Sequence, residues 1–226
     1  KEYSESLINQ FNLNENSLVV DIGSNDGLLL SYLRDNQVRV VGIEPADNIA
    51  AIARGNGIDT IADFFSEDVV KDIIHIKGQA DVVTANNVFA HVNNIFDLTQ
   101  NVKKLLKDDG VFCIEVQYLL DTIQKITFDN IYHEHLSYFS LLSLQEFFRR
   151  QDMDIWKVQH IDSHGGSLRV FVQNKNGKHT IDHSVEEFLQ IERKAGLDKR
   201  ETYEQFAEKV YATRTKFQQF IRSLKS

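Results

Sequence analysis

The chain has 226 residues, of which 42% are hydrophobic and 26% are charged, as expected for one soluble globular domain with a helical appendage. Its formal net charge of -8 argues against a nucleic-acid partner, because phosphate binding requires a basic surface. Cys113 is the single cysteine, which excludes an internal disulfide and a cysteine-rich zinc module within the chain.

No stretch of the sequence approaches the ~18 consecutive apolar residues of a membrane span, and no signal peptide pattern is present. We therefore expect a cytoplasmic protein that binds a small molecule and contacts neither membrane nor nucleic acid. The sequence begins at Lys1 rather than at a methionine. This start leads us to expect further domains outside the chain.

Short apolar runs alternate with helical patterns through the first half of the chain. This alternation predicts repeated strand–helix units and a mainly parallel sheet. The predicted strands cover residues 18–22, 38–44, 59–61, 80–85 and 111–116. The predicted helices between them cover residues 28–35, 48–55, 66–74 and 95–106, and the run DDG at 108–110 predicts a turn.

The pattern changes after residue 116. A short helix is predicted over 118–124, an irregular polar loop over 127–135 and a helix over 143–151, and these are followed by strands at 155–161 and 168–173. The two late strands complete a seven-stranded sheet whose last strand is antiparallel. From Val185 the pattern is charged and helical, and Gly196 divides it into two helices. We predict an α/β, Rossmann-like domain over 1–176 with helices on both faces of the sheet, and a helical C-terminal extension over 177–226.

The run VVDIGSNDG at residues 19–27 is the strongest local signal for a ligand site. A buried strand enters a tight turn at Gly23, and Gly27 permits a close approach of strand and helix. A dinucleotide loop has the pattern G-x-G-x-x-G, whereas this loop lacks the middle glycine and carries Asp21 and Asp26. Carboxylates repel a pyrophosphate but suit the sulfonium and ammonium groups of S-adenosylmethionine. The charges therefore favour S-adenosylmethionine, while an ordinary strand–helix turn explains the loop if it is taken alone.

Three further predicted strand ends carry groups that suit the same cofactor. Glu44 ends the second strand, where an acid accepts hydrogen bonds from both ribose hydroxyls, and Pro45 suits the first turn of the next helix. After the third strand, Asp63 is placed to accept from the adenine amino group while Phe64 covers the ring. A buried phenylalanine pair beside a helix-capping aspartate explains these two residues equally well. Asn86 follows the fourth strand, at the carboxyl edge where ligands bind.

The run FDNIYHEHLSY at residues 128–138 follows the fifth strand and suits the reaction side of a site. His133, Glu134 and His135 do not form the helical H-E-x-x-H zinc pattern, and no third ligand is evident, so we predict no metal. A purely structural hydrogen-bond cluster is one alternative. General acid–base chemistry fits better, because histidine titrates near neutrality. An extended loop would place the two histidines on one side, and His91 is expected to converge on the same cavity.

The motifs DIGSNDG, GIEP, ADFF, ANNVFAHV, FDNIYHEHLSYFS and SHGGSLRV together resemble those of the sugar C-methyltransferases, which methylate nucleotide-linked 4-keto deoxysugars. The resemblance extends from about Val19 to Val172. It implies a class I methyltransferase fold and S-adenosylmethionine as the cofactor. The cofactor contacts it implies are Asp21, Gly23, Ser24, Asn25, Gly27, Glu44, Pro45, Asp63, Phe64 and Asn86.

The resemblance also implies roles on the acceptor side. In that family the histidine that ends YHEH removes the proton from the sugar C3 carbon, so His135 inherits the role of base. Tyr132 and Glu134 would orient or polarise the site, with help from His91. The implied substrate contacts are His133, Tyr138, His164, Gly165, Gly166 and Arg169, although a plain Gly-Gly turn between two strands explains the SHGGS loop equally well.

The chain departs from this family at both ends. Nothing in it resembles the family's N-terminal cysteine-rich zinc module, and we expect the C-terminal domain that helps to hold the nucleotide to be shortened or missing. We therefore expect either the core of a longer protein or a divergent member. Two alternatives to sugar C-methylation stay open: methylation of oxygen or carbon on another small carbonyl or hydroxyl substrate, and a non-catalytic S-adenosylmethionine-binding module of a larger protein.

Overall fold

A computed structural model describes residues 1–224, and the predicted strands form one seven-stranded sheet in the order β3-β2-β1-β4-β5-β7-β6. Strand β7 is antiparallel to both of its neighbours, and the remaining neighbours pair in parallel. This topology confirms the predicted fold class. The strands are β1 Leu18–Ile22, β2 Arg39–Ile43, β3 Thr60–Ile61, β4 Ala80–Asn86, β5 Leu106–Gln117, β6 Met153–Ile161 and β7 Ser167–Asn174.

Helices cover both faces of the sheet. They are α1 Glu2–Phe11, α2 Leu28–Asp35, α3 Asp47–Gly55, α4 Glu67–Lys77, α5 Ile95–Leu105, α6 Leu119–Lys125, α7 Leu141–Arg150, α8 His183–Ala195 and α9 Arg200–Ser223. Successive side chains of a strand point to opposite faces, so Val19 packs with α1 and α2 while Val20 packs with α4, α5 and α7. Both faces of β1 are therefore buried, as its uninterrupted apolar run predicts.

Two elements differ from the sequence prediction. Helix α1 was not predicted, although it buries Leu7 against the sheet. The predicted turn at 108–110 lies inside β5, because the pairing with β4 shifts register between Ala80↔Leu106 and Val82↔Val111. The extra residues of β5 form an irregularity in the ladder rather than a separate turn.

The C-terminal helices begin on the sheet domain and then leave it. Val185 and Leu189 of α8 join the main core, and the buried carboxylate of Glu192 accepts from the backbone N–H groups of Leu141 and Leu142 at 2.6 and 2.8 Å. This carboxylate caps the start of α7. Gly196 ends α8 in the left-handed region, at the predicted break, whereas α9 buries none of its residues. Within residues 1–224, no helix has both the length and the apolar character that a membrane crossing requires.

Candidate active site

A cavity of about 1060 Å³ lies at the carboxyl ends of the parallel strands. Ligands bind at this edge in open α/β sheets, and the volume suits a nucleotide-sized cofactor. Nine of the residues selected from the sequence line it: Asp21, Gly23, Ser24, Asn25, Glu44, Pro45, Phe64, Asn86 and His91. The parallel topology thus brings together groups that are separated by up to seventy residues in the sequence.

The glycine loop is held against the end of β2. The N–H groups of Gly23 and Ser24 donate to the carbonyl of Ile43 at 2.8 and 3.1 Å. Gly23 has φ +69°, and a Cβ atom there would lie 2.5 Å from Cγ2 of Val88. Only glycine fits this turn without displacing its neighbour. Gly27 does not line the cavity; it has φ +79°, and a Cβ atom there would lie 2.8 Å from Ile58, in the segment between α3 and β3, rather than against a strand.

Glu44 is oriented toward the cavity by the backbone around it. Its Oε2 accepts from the N–H of Asn25 at 3.1 Å, and its Oε1 accepts from the N–H of Ala46 at 2.9 Å. Each carboxylate oxygen can accept more than one hydrogen bond, so both retain capacity for ligand hydroxyls. The carboxylate is therefore fixed before any ligand binds.

Two residues of the cavity wall carry polar atoms without a partner. The Oγ of Ser24 and the Oδ1 of Asn86 are buried and have no hydrogen-bond partner within residues 1–224. Buried polar atoms in native proteins are normally paired, and an unpaired one costs free energy. The Ser24 hydroxyl lies against Gly42, where an added Cβ atom would come within 2.5 Å of it, so Ser24 packs the glycine loop on β2.

Asp21 lies beneath the loop, with only 4% of its surface exposed. Its Oδ1 accepts from the Thr84 hydroxyl at 2.5 Å. Burial raises the pKa of Asp21 to about 7; the Thr84 hydrogen bond opposes this shift, and the negative charge of Glu44 adds to it. The carboxyl group is therefore protonated well above the pH at which an exposed aspartate ionises.

This raised pKa predicts a pH-dependent stability that Asp21→Asn removes. Between about pH 4 and 7 the unfolded chain loses this proton and the folded chain keeps it, so the free energy of unfolding falls by up to about 1.4 kcal/mol per pH unit. The contribution is fully present below the unfolded pKa of 3.8 and is lost as pH rises through 7. We expect the free energy of unfolding, measured by urea titration at several pH values, to fall less steeply with rising pH in Asp21→Asn than in wild type. The same pH dependence in both proteins would contradict the raised pKa of Asp21.

The adenine end of the cavity is only partly as predicted. Phe64 lines the cavity with its side chain 74% exposed, and Phe65 lines it as well. Asp63 is exposed and does not line the cavity, and its Oδ1 accepts from the N–H of Phe64 at 2.7 Å. Phe64 is thus available to cover a ring, while a contact between Asp63 and adenine stays a prediction.

The YHEH segment forms a turn, so the expectation of an extended loop is wrong. The N–H of His135 donates to the carbonyl of Tyr132 at 3.1 Å, which closes the turn. The side chain of His133 is 88% exposed, and its Nε2 lies 3.9 Å from Oε1 of Glu134. Neither His133 nor Glu134 lines the large cavity. The turn, unlike an extended chain, places these two side chains beside each other in solvent.

His135 and His91 converge, as the sequence suggested. Their ring centroids are 4.8 Å apart, and the Tyr132 ring lies 4.5 Å from the His135 ring. Nδ1 of His135 lies 2.8 Å from the carbonyl of Asn130, and Nδ1 of His91 lies 2.9 Å from the carbonyl of Glu134. A carbonyl only accepts, so both Nδ1 atoms carry protons and each neutral ring keeps its lone pair on Nε2. His91 lines the large cavity, which places the imidazole pair beside the candidate cofactor site.

The SHGGS loop is tied to the end of β5 and to α6 through its carbonyl groups. The carbonyls of His164, Gly165 and Gly166 accept from Gln117 Nε2 at 3.3 Å, Lys125 Nζ at 2.6 Å and the N–H of Tyr118 at 3.0 Å. All three loop residues have positive φ. The loop is therefore a fixed structure at the edge of the acceptor side, and its contact with a substrate stays a prediction.

Arg169 is largely buried and its Nη2 is paired within the protein, while its Nε has no hydrogen-bond partner within residues 1–224. Its Nη2 donates to Oε2 of Glu115 at 2.8 Å, its guanidinium lies 3.6 Å from the centre of the Tyr3 ring, and its side chain is 12% exposed. The other oxygen of Glu115 accepts from the Ser163 hydroxyl at 2.7 Å. The geometry gives no support to Arg169 as a substrate contact, because the β5–β7 register pairs it with Glu115.

Several cavity residues were not selected from the sequence, although the asparagine-rich run from residue 86 to 94 is a visible polar signal after a strand. No cluster of three or more histidine, cysteine or acidic side chains suited to a metal occurs among residues 1–224. The additional lining residues include Phe65, Asn87, Asn93, Asn94, Asp97 and Asn101, and Asp26 of the glycine loop lines the cavity as well.

Comparison with known families agrees with this geometry. The model of the methyltransferase domain family matches residues 2–158, and the model of the C-methyltransferase C-terminal domain matches residues 162–226. The second match shows that the chain contains at least part of such a C-terminal domain, so the expectation that it is missing is wrong. The chain belongs to the methyltransferase domain family, whose members use S-adenosylmethionine as the cofactor.

Among individual proteins, the chain is similar to the C-methyltransferase NovU of Streptomyces niveus, with 36% identity over 217 residues. This match covers 96% of the chain and 52% of NovU, so the chain spans about half the length of that relative. A shorter match, 29% identical over 106 residues, is to the ubiquinone biosynthesis O-methyltransferase of Glaesserella parasuis; it covers 42% of the chain and 43% of that protein.

Solved structures share the fold at low sequence identity. Magnesium protoporphyrin IX methyltransferase from Synechocystis PCC 6803, solved with S-adenosylhomocysteine, is 12% identical with a TM-score of 0.60, over 77% of the chain and 81% of that structure. The 1,6-didemethyltoxoflavin-N1-methyltransferase of Burkholderia thailandensis is 19% identical with a TM-score of 0.58, over 77% of each chain. These matches establish the class I methyltransferase fold.

Proposed function

We propose that this methyltransferase adds a methyl group to a carbon beside a ketone, and that its acceptor is a nucleotide-linked 4-keto deoxysugar. One observation carries the proposal: a histidine pair with available Nε2 lone pairs lies directly beside the cofactor cavity. The similarity to NovU and to the C-methyltransferase C-terminal domain supports carbon as the methylated atom. The sugar rests on the motif resemblance.

The residues of the chain divide the work between two sides. On the cofactor side, Glu44 would hold the ribose hydroxyls, Phe64 would cover the adenine, and Ser24 and Asn86 would bind the amino-acid part. Bound S-adenosylmethionine supplies an electrophilic methyl group on its sulfonium. His91 lines the same cavity, so an acceptor carbon that meets the methyl group of a bound cofactor there would lie near the histidine pair.

On the acceptor side, His135 acts as the base. Its Nε2 takes the proton from the carbon beside the ketone, and the electrons of the broken C–H bond move to the carbonyl oxygen as an enolate. The carbonyl of Asn130 holds Nδ1–H and so stabilises the imidazolium that forms. Tyr132 and Glu134 are proposed to orient the acceptor or to polarise its ketone, and His91 supports the His135 ring. With the cofactor bound, the enolate carbon would take the methyl group as the bond between methyl and sulfur breaks. The electron pair of that bond would stay on sulfur as S-adenosylhomocysteine, and the ketone would be restored.

Methylation of a hydroxyl oxygen also needs only a base, and the O-methyltransferase relative makes it the second candidate. Deuterium exchange separates the two reactions. The protein is incubated in D₂O with S-adenosylhomocysteine and a nucleoside diphosphate-linked 4-keto-6-deoxyhexose, and exchange is followed by proton NMR. We expect loss of the proton signal at the carbon beside the ketone; a protein that binds the cofactor product yet exchanges no proton would contradict C-methylation of this substrate class.

A further inference from the structure

Gln117 is the last residue of β5, and apart from its hydrogen bond to the SHGGS loop its side chain takes part in none of the roles described above. The β5–β7 ladder pairs it with Ser167, at the edge of the sheet that carries the site. Its side chain lies between the SHGGS loop and the turn that holds His135. It is therefore placed at the boundary between two segments of the acceptor side.

The orientation of the Gln117 amide is fixed by its neighbour. Nε2 donates to the carbonyl of His164 at 3.3 Å. The reversed amide would set Oε1 against that carbonyl, where two acceptors repel each other. Oε1 therefore points away from the carbonyl of His164. It is buried and has no hydrogen-bond partner within residues 1–224.

The opposite side of Gln117 borders a second, small cavity of about 10 Å³. His135, Ser137, Tyr138 and Thr122 also line it. This volume accommodates about one water-sized oxygen. The residue that carries the unpaired acceptor and the base of the proposed reaction thus line the same small cavity.

Three hydroxyl-bearing residues line this cavity, and none of them, Ser137 included, donates to Oε1 of Gln117 in the structure. The Thr122 hydroxyl donates to the carbonyl of Tyr118 at 3.3 Å, and the Tyr138 hydroxyl donates to the carbonyl of Asn130 at 3.5 Å. A buried amide oxygen without a donor costs free energy, so the site favours a ligand that brings an O–H group. The chemistry that fits is a hydroxyl donor next to His135.

We propose that Gln117 is a positioning residue of the acceptor side, which holds an O–H group beside His135 through Oε1. The group is either a hydroxyl of the methyl acceptor or a water molecule that contacts the imidazole. The inference rests on the proposed function, because it gives Gln117 a part in placing the acceptor or the base. In addition to the roles proposed above, Gln117 would select acceptors by their hydroxyl or orient the His135 ring through a water molecule.

The test compares Gln117→Met with Gln151→Met, because methionine keeps the length of glutamine without its amide. Gln151 is the control: it follows α7, lines neither cavity, and its Nε2 is buried and unpaired within residues 1–224, while its Oε1 accepts from Gln100 Nε2. The measurements are calorimetric affinity for S-adenosylhomocysteine, thermal unfolding, and kcat and KM for deuterium exchange into the 4-keto-6-deoxyhexose nucleotide at several pH values. Gln117→Leu serves as the second variant if Gln117→Met does not fold.

We expect Gln117→Met to lower kcat/KM about tenfold, which is the loss of one hydrogen bond, with affinity for S-adenosylhomocysteine unchanged. If Gln117→Met raises KM for the full acceptor but not for an acceptor that lacks the hydroxyl beside the reacting carbon, the O–H group belongs to the acceptor. A fall in kcat with a displaced pH profile identifies a water that acts through His135. Exchange equal to that of Gln151→Met overturns the inference, whereas a wild-type protein without exchange contradicts the proposed function instead.

Discussion

His135→Ala is expected to lower deuterium exchange beside the ketone by about 10²–10⁴-fold, the usual contribution of a positioned general base. The variant removes the one imidazole that contacts both His91 and the Tyr132 ring. Affinity for S-adenosylmethionine should stay within about twofold of wild type, because His135 does not line the large cavity. NMR exchange rates and calorimetry on the same preparations give the two readouts.

His75→Ala is the matched control, since this histidine lies on the exposed side of α4 and lines neither cavity. It should leave both exchange and affinity unchanged. If His135→Ala exchanged deuterium at the wild-type rate, another group would be the base. His91 would then be the first candidate, because its Nδ1 is bound in the same way and its ring lines the cofactor cavity.

Glu44→Ala is expected to weaken S-adenosylmethionine binding by about 10²-fold, because hydrogen bonds from both ribose hydroxyls to a carboxylate are lost. Part of the loss comes from the backbone, since Glu44 also accepts from the N–H groups of Asn25 and Ala46. Glu44→Gln keeps one side-chain acceptor and should fall between alanine and wild type. Isothermal titration calorimetry measures all three proteins.

Glu67→Ala controls for the loss of a carboxylate. Glu67 lies at the start of α4, pairs with Lys71 and Lys104 at the surface, and does not line the cavity. Its replacement should not change cofactor affinity. Unchanged affinity in Glu44→Ala would remove the ribose assignment, and it would leave the base assignment of His135 untouched.

The parts of the fold that were predictable from sequence are those whose signals are local. Strand β1 and α2 have the predicted bounds because an apolar run, a glycine turn and a helical pattern follow one another directly. The start of β5 was not predictable, since the shift in its pairing with β4 depends on a strand more than twenty residues away. Helix α1 precedes the strand–helix alternation, and its burial of Leu7 depends on the sheet being formed.

In the candidate site, too, the features with local sequence signals were predictable, and those that depend on distant strands were not. Glu44, Asn86 and the glycine loop were predictable because the ends of parallel strands meet at one edge of a sheet. The pairing of Arg169 with Glu115 was not, because it arises from the register of two strands that are distant in sequence. Gln117 carried no signal, since a glutamine at a strand end becomes informative only when its unpaired oxygen and its neighbours are known.

The destination of the transferred methyl group tests the central claim most directly. The protein is incubated with S-adenosylmethionine labelled with ¹³C at its methyl group and with the 4-keto-6-deoxyhexose nucleotide, and the product is analysed by carbon–proton correlation NMR. We predict that the label couples through carbon to the position beside the ketone, as a C-methyl group. A labelled methyl group on oxygen, or cofactor binding without any transfer to this acceptor, would contradict the proposed function.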